Sequence, residues 1–286
     1  MRATDAVLEG LAFGEGPRWH DESLWFSDMH DDAVKRFVPA SGAVEVVARV
    51  PGQPSGLAWD DEGRLLIVSM ADRQLLRWGG GSVDDMTVVA DLASYTEQPL
   101  NDMVRAAGGL AYIGGFGFDL HGGGEARPTV LLAVDPSTGS HGVAATDLQF
   151  PNGMVITANG STLIVGESFG AQLTAFTIDA TGGLRDRRVW APLAPAFPDG
   201  ICLDAEGCVW VASPGDREVI RVREGGAVVD RVSTGDRLAI ACALGGDDGR
   251  TLFVCTSLGL DPAKARELRT GRIEAIRVEV PGGGSP

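Results

Sequence analysis

The sequence predicts an all-β protein, a six-bladed β-propeller, from two observations: an internal repeat and an abundance of glycine. Six units recur along the 286 residues. Each unit has a Gly-containing segment, an apolar run, a turn rich in Asp, Asn or Gly, and a second strand, as expected for propeller blades. Forty glycines, about double the usual share of roughly 7%, indicate many tight turns and therefore short strands.

The spacing of the repeat supports the propeller. Residues 54–69 and 198–213 match almost position for position. The motifs begin at intervals of 40 to 51 residues, at Gly16, Gly56, Asp102, Gly153, Gly200 and Ala241. Periods in this range are typical of propeller blades. Because no linker-like stretch interrupts the repeats, we expect one domain over residues 1–286; two stacked all-β domains are the alternative.

Four segments outside the repeat have their own predictions. Residues 4–9 are the candidate strand that closes the ring in the last blade. The segment Pro262–Leu268 has the composition for one or two helical turns. The Gly-rich residues 120–128 form a long insertion in the third blade, of the kind that often covers a site. Residues 281–286 are expected to be a flexible tail.

Composition and charge exclude several partner classes. The net charge of −15 disfavours a nucleic acid or an anionic membrane surface, which leaves a small molecule as the expected partner. No apolar run approaches the ~20 residues of a membrane span, and the start has no signal-peptide pattern, so we expect a cytoplasmic protein. The four cysteines lack CxxC spacing and are expected to be buried small hydrophobic residues. Nothing in the sequence indicates the oligomeric state.

Polar residues recur at the start of the innermost strand in five of the six repeats. They are Glu15, Ser55, Asn101, Asn152 and Asp199. Because innermost strands surround the axis of a propeller, these side chains are expected to converge there. Carboxylates and amides crowded together would repel or remain unsatisfied, and a divalent cation would compensate them. Oxygen donors without Cys or His favour Ca²⁺, Mg²⁺ or Mn²⁺ over a structural zinc. The alternative is that Asn and Asp before Gly are simply turn formers.

Several short motifs, taken in order, resemble one known family. They are Glu15-Gly-Pro, Asn101-Asp, Phe150-Pro-Asn-Gly-Met, Gly166-Glu-Ser with Leu173-Thr-Ala-Phe, and Pro198-Asp-Gly with Val209-Trp-Val-Ala. The chain resembles the SMP-30/gluconolactonase family, also called regucalcin-like or luciferin-regenerating-enzyme-like, over nearly its whole length.

The resemblance implies a fold, a metal site and an activity. The fold is a six-bladed propeller with one divalent ion bound by Glu15, Asn152 and Asp199. Calcium is the ion we favour, with Zn²⁺, Mn²⁺ and Mg²⁺ as alternatives. Asn101 would contact substrate or a metal-bound water, and Asp199 would also be the general base in hydrolysis of a lactone or related ester. In that chemistry the ion polarises the carbonyl while the carboxylate takes a proton from water.

This sequence departs from the sugar-lactone pattern at several positions. The Arg that usually lies two residues before the Asn-Asp pair is Pro99 here, and the Gly that usually follows the pair is Met103. With Phe116 and Phe118 nearby, these changes predict a less polar pocket, and therefore a cyclic or aryl ester less polar than a simple sugar lactone. Phe150, Phe169 and Phe197 are candidates to extend its apolar wall, although aromatic residues beside blade turns more often belong to the core.

No serine nucleophile elbow is present, and the histidines give no catalytic pattern. His20, His30, His121 and His141 all lie in loop-like or turn-like contexts, which predicts surface positions. His121 is the candidate substrate contact among them, because it belongs to the insertion. Two alternatives to the hydrolase remain: a metal-binding or metabolite-binding propeller without hydrolytic activity, and a non-hydrolytic, cyclase-type propeller enzyme.

Overall fold

A computed structural model describes residues 2–284 and contains six antiparallel sheets of four strands, extended to five in one case. The first three blades follow the chain without crossovers. Blade 1 contains β3 Gly14–His20, β4 Ser23–Asp28, β5 Ala33–Val38 and β6 Ala43–Arg49; blade 2 contains β7 Pro54–Trp59, β8 Leu65–Ser69, β9 Gln74–Trp78 and β10 Met86–Asp91; blade 3 contains β11 Leu100–Arg105, β12 Ala111–Gly115, β13 Thr129–Val134 and β14 His141–Leu148.

The remaining blades have the same strand order, and the last is completed from the N-terminal side. Blade 4 contains β15 Pro151–Ile156, β16 Thr162–Glu167, β17 Gln172–Ile178 and β18 Leu184–Pro192; blade 5 contains β19 Ile201–Leu203, β20 Val209–Ser213, β21 Glu218–Val222 and β22 Val228–Ser233; blade 6 contains β23 Leu238–Gly245, β24 Thr251–Ser257, β25 Gly271–Arg277 and β2 Asp5–Leu11. The prediction of a six-bladed propeller is confirmed.

The ring is closed by two N-terminal strands. The predicted closing strand at residues 4–9 is present as β2, which pairs antiparallel with β25. A shorter strand, β1 Arg2–Ala3, pairs in parallel with β22 and adds a fifth strand to blade 5. The N-terminal segment therefore joins blades 5 and 6.

Small residues let the innermost strands approach one another around the axis. A Cβ atom on Gly56 would lie 2.3 Å from the backbone nitrogen of Met103, and one on Gly153 would lie 2.5 Å from that of Ile201. These distances are too short for any side chain, so the repeated Gly of the motif is needed for contact between blades. Apolar side chains fill the remaining space between the sheets, with clusters that each draw on two neighbouring blades.

The elements outside the blades largely follow the prediction. Helix α1 spans Pro262–Leu268, with Asp261 as its N-cap, and the insertion between β12 and β13 occupies residues 116–128. The expected flexible tail differs from the structure at its beginning. Gly282 pairs with Asp204, and the backbone N–H of Gly283 donates to the carbonyl of Leu203 at 3.0 Å. The end of the tail, residues 285–286, lies outside the described residues.

The four cysteines, Cys202, Cys208, Cys242 and Cys255, are buried and free of disulfides, as expected. Within residues 2–284 no helix is long and apolar enough to cross a membrane.

Candidate active site

A one-residue bulge directs the axial side chain in four of the blades. The register of β3 with β4 shifts between Glu15 and Arg18, and the equivalent shift occurs at the starts of β7, β11 and β15. In each case one extra residue on the inner strand interrupts the alternation of side chains, which re-aims the residue at the bulge. All these strands begin at the same end of the propeller, which we call the upper end.

The residues expected to bind metal come together at this upper end. The Asn152 amide donates a hydrogen bond to Asp199 Oδ1 at 2.6 Å. The Asp199 carboxylate in turn raises the pKa of Glu15, so the two acids are close enough to repel each other. Glu15 and Asn152 are buried, whereas Asp199 is partly exposed. Three residues from blades 1, 4 and 5 therefore form one cluster, as the sequence predicted.

Burial dominates the electrostatics of the cluster. It raises the pKa of Glu15 well above its usual range, with further increases from Asp199 and Asp102. Burial also raises the pKa of Asp199 to about 7, against the opposing effect of its hydrogen bond from Asn152. Removing carboxylates from water and placing them side by side disfavours their charged forms. Both pKa values are raised, so nearby positive charge does not offset the burial of the two carboxylates.

The nearest internal cation is already engaged. The Arg18 guanidinium donates to Asp102 Oδ1 at 2.8 Å and to the Met103 carbonyl at 2.7 Å, and both side chains of this ion pair are buried. The charge of Arg18 lowers the pKa of Glu15, but this effect is smaller than those of burial, Asp199 and Asp102, which raise it. Glu15 and Asp199 consequently have no full counter-charge from the protein.

This donor set fits a hard divalent cation. It offers two carboxylates and two carboxamides, and at the equivalent position of blade 2 the buried Ser55 hydroxyl has no hydrogen-bond partner among the residues that the structure describes. Oxygen ligands of this type are those of Ca²⁺ and Mg²⁺. Among residues 2–284 no group of three or more His, Cys, Asp and Glu side chains is arranged to hold a metal. The cluster at the axis has only two such residues, Glu15 and Asp199, so the other oxygen donors for a cation would be the amides of Asn101 and Asn152.

The expected substrate contacts on blade 3 divide into two groups. Asn101 lies at the axis, where its amide donates to the Pro151 carbonyl at 3.5 Å. Met103 is fully buried in the apolar core between blades 2 and 3, so its expected contact with substrate is wrong. In an unbroken strand residues 101 and 103 would share a face, but the bulge between Leu100 and Met103 turns them apart.

Phenylalanines surround the cluster at the upper end. Phe116 and Phe118, from the insertion, pack with Phe150, whose ring centroid lies 4.6 Å from that of Phe116. All three are buried. Phe169 joins them with its centroid 5.0 Å from that of Phe118, but its side chain is 45% exposed. The three buried rings belong to one hydrophobic core cluster, which agrees with the alternative for aromatic residues beside blade turns, and Phe169 alone of the four reaches solvent.

The insertion also reaches the opposite side of the upper end. His121 is exposed, as expected, yet it lies close enough to His30 in blade 1 to lower the pKa of that side chain. Leu120 packs against the same apolar cluster as Phe13. The insertion therefore extends from blade 3 to the neighbourhood of His30 in blade 1.

His30 is not the surface residue that the sequence suggested. It is 5% exposed, its ring lies 5.1 Å from that of Phe13, and within residues 2–284 its Nδ1 has no hydrogen-bond partner. Burial, followed by the charges of Arg266 and His121, lowers its pKa to about 4. The prediction failed because distant segments cover His30: α1 packs on the 3₁₀ turn Met29–Asp31.

Ser168 is a site residue that the sequence reasoning missed. Its hydroxyl accepts a hydrogen bond from the Asn152 amide at 3.2 Å and donates one to the Pro198 carbonyl at 2.6 Å. It thereby links the segments that carry Asn152 and Asp199. Its place directly after Gly166-Glu167 in a quoted family motif was the available signal.

Comparisons with known proteins agree with this fold and show its family. A family model described as "SMP-30/Gluconolactonase/LRE-like region" matches residues 13–258. Pentonolactonase XacC from Haloferax volcanii is 27% identical over 280 residues, which cover 93% of this chain and 89% of that protein.

Two solved structures have the same fold over the whole chain. A luciferin-regenerating enzyme gives a TM-score of 0.84 with 19% identity and covers 100% of this chain and 98% of its own. A protein described as the calcium-binding regucalcin from Agrobacterium tumefaciens gives a TM-score of 0.81 with 22% identity, covering 100% and 97%. Because the family model spans most of the blades as well as all three axial residues, the chain belongs to the SMP-30/gluconolactonase/LRE-like family.

Proposed function

We propose that this protein is a metal-dependent hydrolase of lactones or related cyclic or aryl esters. The observation that carries the proposal is the pair of neighbouring acids at the axis, Glu15 of blade 1 and Asp199 of blade 5, with the Asn152 amide of blade 4 bonded to Asp199 and no full counter-charge among the described residues. A related protein named a pentonolactonase supports the reaction class. The calcium-binding protein of the same fold supports Ca²⁺ as the ion, with Zn²⁺, Mn²⁺ and Mg²⁺ as alternatives.

In this proposal Glu15, Asn152 and Asp199 hold the cation through oxygen atoms. When bound, the cation would polarise the ester carbonyl and stabilise negative charge on its oxygen. Its charge would also keep both acids ionised despite their burial.

In this proposal Asp199 is the general base. It is the least buried of Glu15, Asn152 and Asp199, and its Oδ1 accepts a hydrogen bond from the Asn152 amide at 2.6 Å. The second carboxylate oxygen, Oδ2, remains to accept a proton from the attacking water. Asn101, on the neighbouring blade, offers an amide to orient the substrate.

The surroundings of the cluster favour a substrate less polar than a simple sugar lactone. Pro99 supplies no side-chain donor beside Asn101, and the buried Phe116 and Phe118 rings border the same end of the axis. A substrate hydroxyl placed against these groups would lose its hydrogen bonds to water without replacement.

Asp199→Ala and Glu15→Gln are expected to lower kcat/KM by at least about a hundredfold, because each removes a cation ligand and Asp199→Ala also removes the base. The measurement combines metal content with hydrolysis of a lactone and aryl-ester panel, with and without chelator. Glu45→Gln, which changes a half-exposed carboxylate on an outer strand, is the matched control and should retain activity.

Full activity in both axial variants would refute the proposal. Stoichiometric metal without hydrolysis of any ester would instead favour a binding protein.

A further inference from the structure

The exposed fractions of the axial residues indicate an opening to solvent beside Asp199. Glu15, Asn101 and Asn152 are each at most 6% exposed, and the rings of Phe116, Phe118 and Phe150 are at most 8% exposed. Asp199, in contrast, is partly exposed. Among the axial residues named here, the one that solvent reaches most easily is therefore on blade 5, next to its border with blade 4.

Two exposed aromatic side chains flank this opening. Phe169 is 45% exposed and Phe197 is 52% exposed. Phe169 directly follows Ser168, and Phe197 directly precedes Pro198, and these two intervening residues are joined by the 2.6 Å hydrogen bond from the Ser168 hydroxyl to the Pro198 carbonyl. The two rings thus belong to segments that are tied together beside Asp199.

These segments are also connected to the axial cluster and to the buried phenylalanine rings. Ser168 accepts a hydrogen bond from Asn152, while the Phe169 ring lies 5.3 Å from that of Phe150 and 5.0 Å from that of Phe118. A continuous apolar surface therefore runs from the buried rings near the axis to the rim of the propeller. We call Phe169 and Phe197 the aromatic rim.

Exposed rings at this position need an explanation. Large apolar side chains exposed beside a concave site commonly contact ligands. The other strongly exposed apolar residue of blade 4, Val189, lies on its outermost strand, β18, and has no connection with the cluster.

We propose that the substrate carries an alkyl or aryl substituent that leaves the axis between blades 4 and 5 and lies against the aromatic rim. This inference rests on the proposed hydrolase function and specifies its substrate class: a lactone with an extended apolar substituent on its ring. The ring ester would lie at the axial cluster, and the substituent would contact Phe197 and Phe169.

A homologous series of γ-lactones with methyl, butyl and octyl substituents tests the proposal. We expect kcat/KM of the unmodified protein to rise by about 2-fold per added methylene. This rise corresponds to roughly half of the free energy of complete burial, because the rim covers one face of the substituent. Phe169→Ser and Phe197→Ser should flatten this rise, with a loss that grows with the length of the substituent. Val189→Ser, equally exposed on the same blade, should leave the rise intact.

The outcomes separate the two proposals. Chelator-sensitive hydrolysis of the methyl lactone with no rise along the series, or a rise that survives in both Phe variants, would overturn the aromatic rim and leave the hydrolase. Absence of hydrolysis throughout would refute the hydrolase. In that event, calorimetric titration with the corresponding ring-opened hydroxy acids decides about the rim: affinity that increases with length and falls in Phe169→Ser supports it, and affinity independent of length refutes it.

Discussion

At the scale of single residues, the upper end of the propeller contains buried polar groups that protein partners only partly satisfy. Glu15 has a raised pKa, and among the residues that the structure describes the Ser55 hydroxyl and His30 Nδ1 are buried without a partner. Such groups lower stability unless a ligand, an ion or water compensates them. Buried atoms of this kind also occur away from the axis, at Arg36 in β5 and Trp210 in β20, so the axis is singled out by its two neighbouring acids rather than by these atoms.

His30 predicts a specific loss of stability in acid. Burial, Arg266 and His121 lower its pKa to about 4, against smaller opposing effects of Asp28 and Asp261. The unfolded chain, with a His pKa near 6.5, therefore binds more protons between pH 6.5 and 4. The contribution of neutral His30 is complete above pH 6.5, and it is lost as the pH falls toward 4, by up to about 3 kcal/mol.

Urea denaturation of the protein and of His30→Leu at several pH values between 7.5 and 4 measures this contribution as the difference between their pH profiles. His141→Gln, at an exposed histidine, should follow the unmodified profile. Parallel profiles for the protein and His30→Leu would show that His30 titrates alike in the folded and unfolded states.

At the scale of elements, the inner strand of blade 4 combines close approach with a bulge. Gly153 lets β15 touch the segment that begins blade 5, and the bulge between Pro151 and Met154 directs Asn152 to the axis. The strand thus aligns two blades and places the Asn152 amide at the axis within four residues. A change in this packing should alter both stability and the site.

Gly153→Ala tests this dual role. Its Cβ would lie 2.5 Å from the Ile201 nitrogen and 2.6 Å from the Asp199 carbonyl oxygen, so the inner strands of blades 4 and 5 must separate. We expect a loss of about 3 kcal/mol in the free energy of unfolding, at the upper end of the usual effect of overpacking, together with weaker cation binding. The control is Gly108→Ala, because a Cβ atom on Gly108 would have no heavy atom within 4 Å beyond its own residue and its two chain neighbours. Unchanged stability and cation affinity in Gly153→Ala would contradict the close approach.

The inner strands also show what the sequence could and could not predict. The order of the blades and the positions of Glu15, Asn152 and Asp199 follow from a local pattern that repeats in register. The orientation of Met103 does not, because a single bulge reverses the alternation on which such a prediction depends. The burial of His30 was likewise beyond local reasoning, since it requires α1 and the blade 3 insertion, which are remote in the chain.

At the scale of the whole molecule, closure of the ring keeps the axial residues in place. Glu15 belongs to blade 1 and Asp199 to blade 5, with blade 6 between them on one side of the ring. Blade 6 takes its outermost strand, β2, from the N-terminal side, and the chain continues from β2 directly into β3. Blade 6 and blade 1 are therefore held together by the pairing of β2 with β25 as well as by the packing of β23 and β24 on β3.

Removal of residues 2–11 tests this closure. It would expose the edge of β25 and the partners of Leu11, which is 3% exposed in the core that also contains Phe13 and Ile273. Because the net stability of a domain is only about 5–15 kcal/mol, we expect the shortened chain to lose cooperative unfolding and to associate through the free edge. Removal of residues 2–3 alone, which deletes the short parallel pairing of β1 with β22 and the exposed contacts of Arg2 with Asp230 and with the Arg277 carbonyl, should preserve the fold. Thermal unfolding followed by circular dichroism, together with size-exclusion chromatography, distinguishes the two variants. If the chain without residues 2–11 unfolds cooperatively near the original Tm, blade 6 holds the ring with three strands and the prediction is wrong.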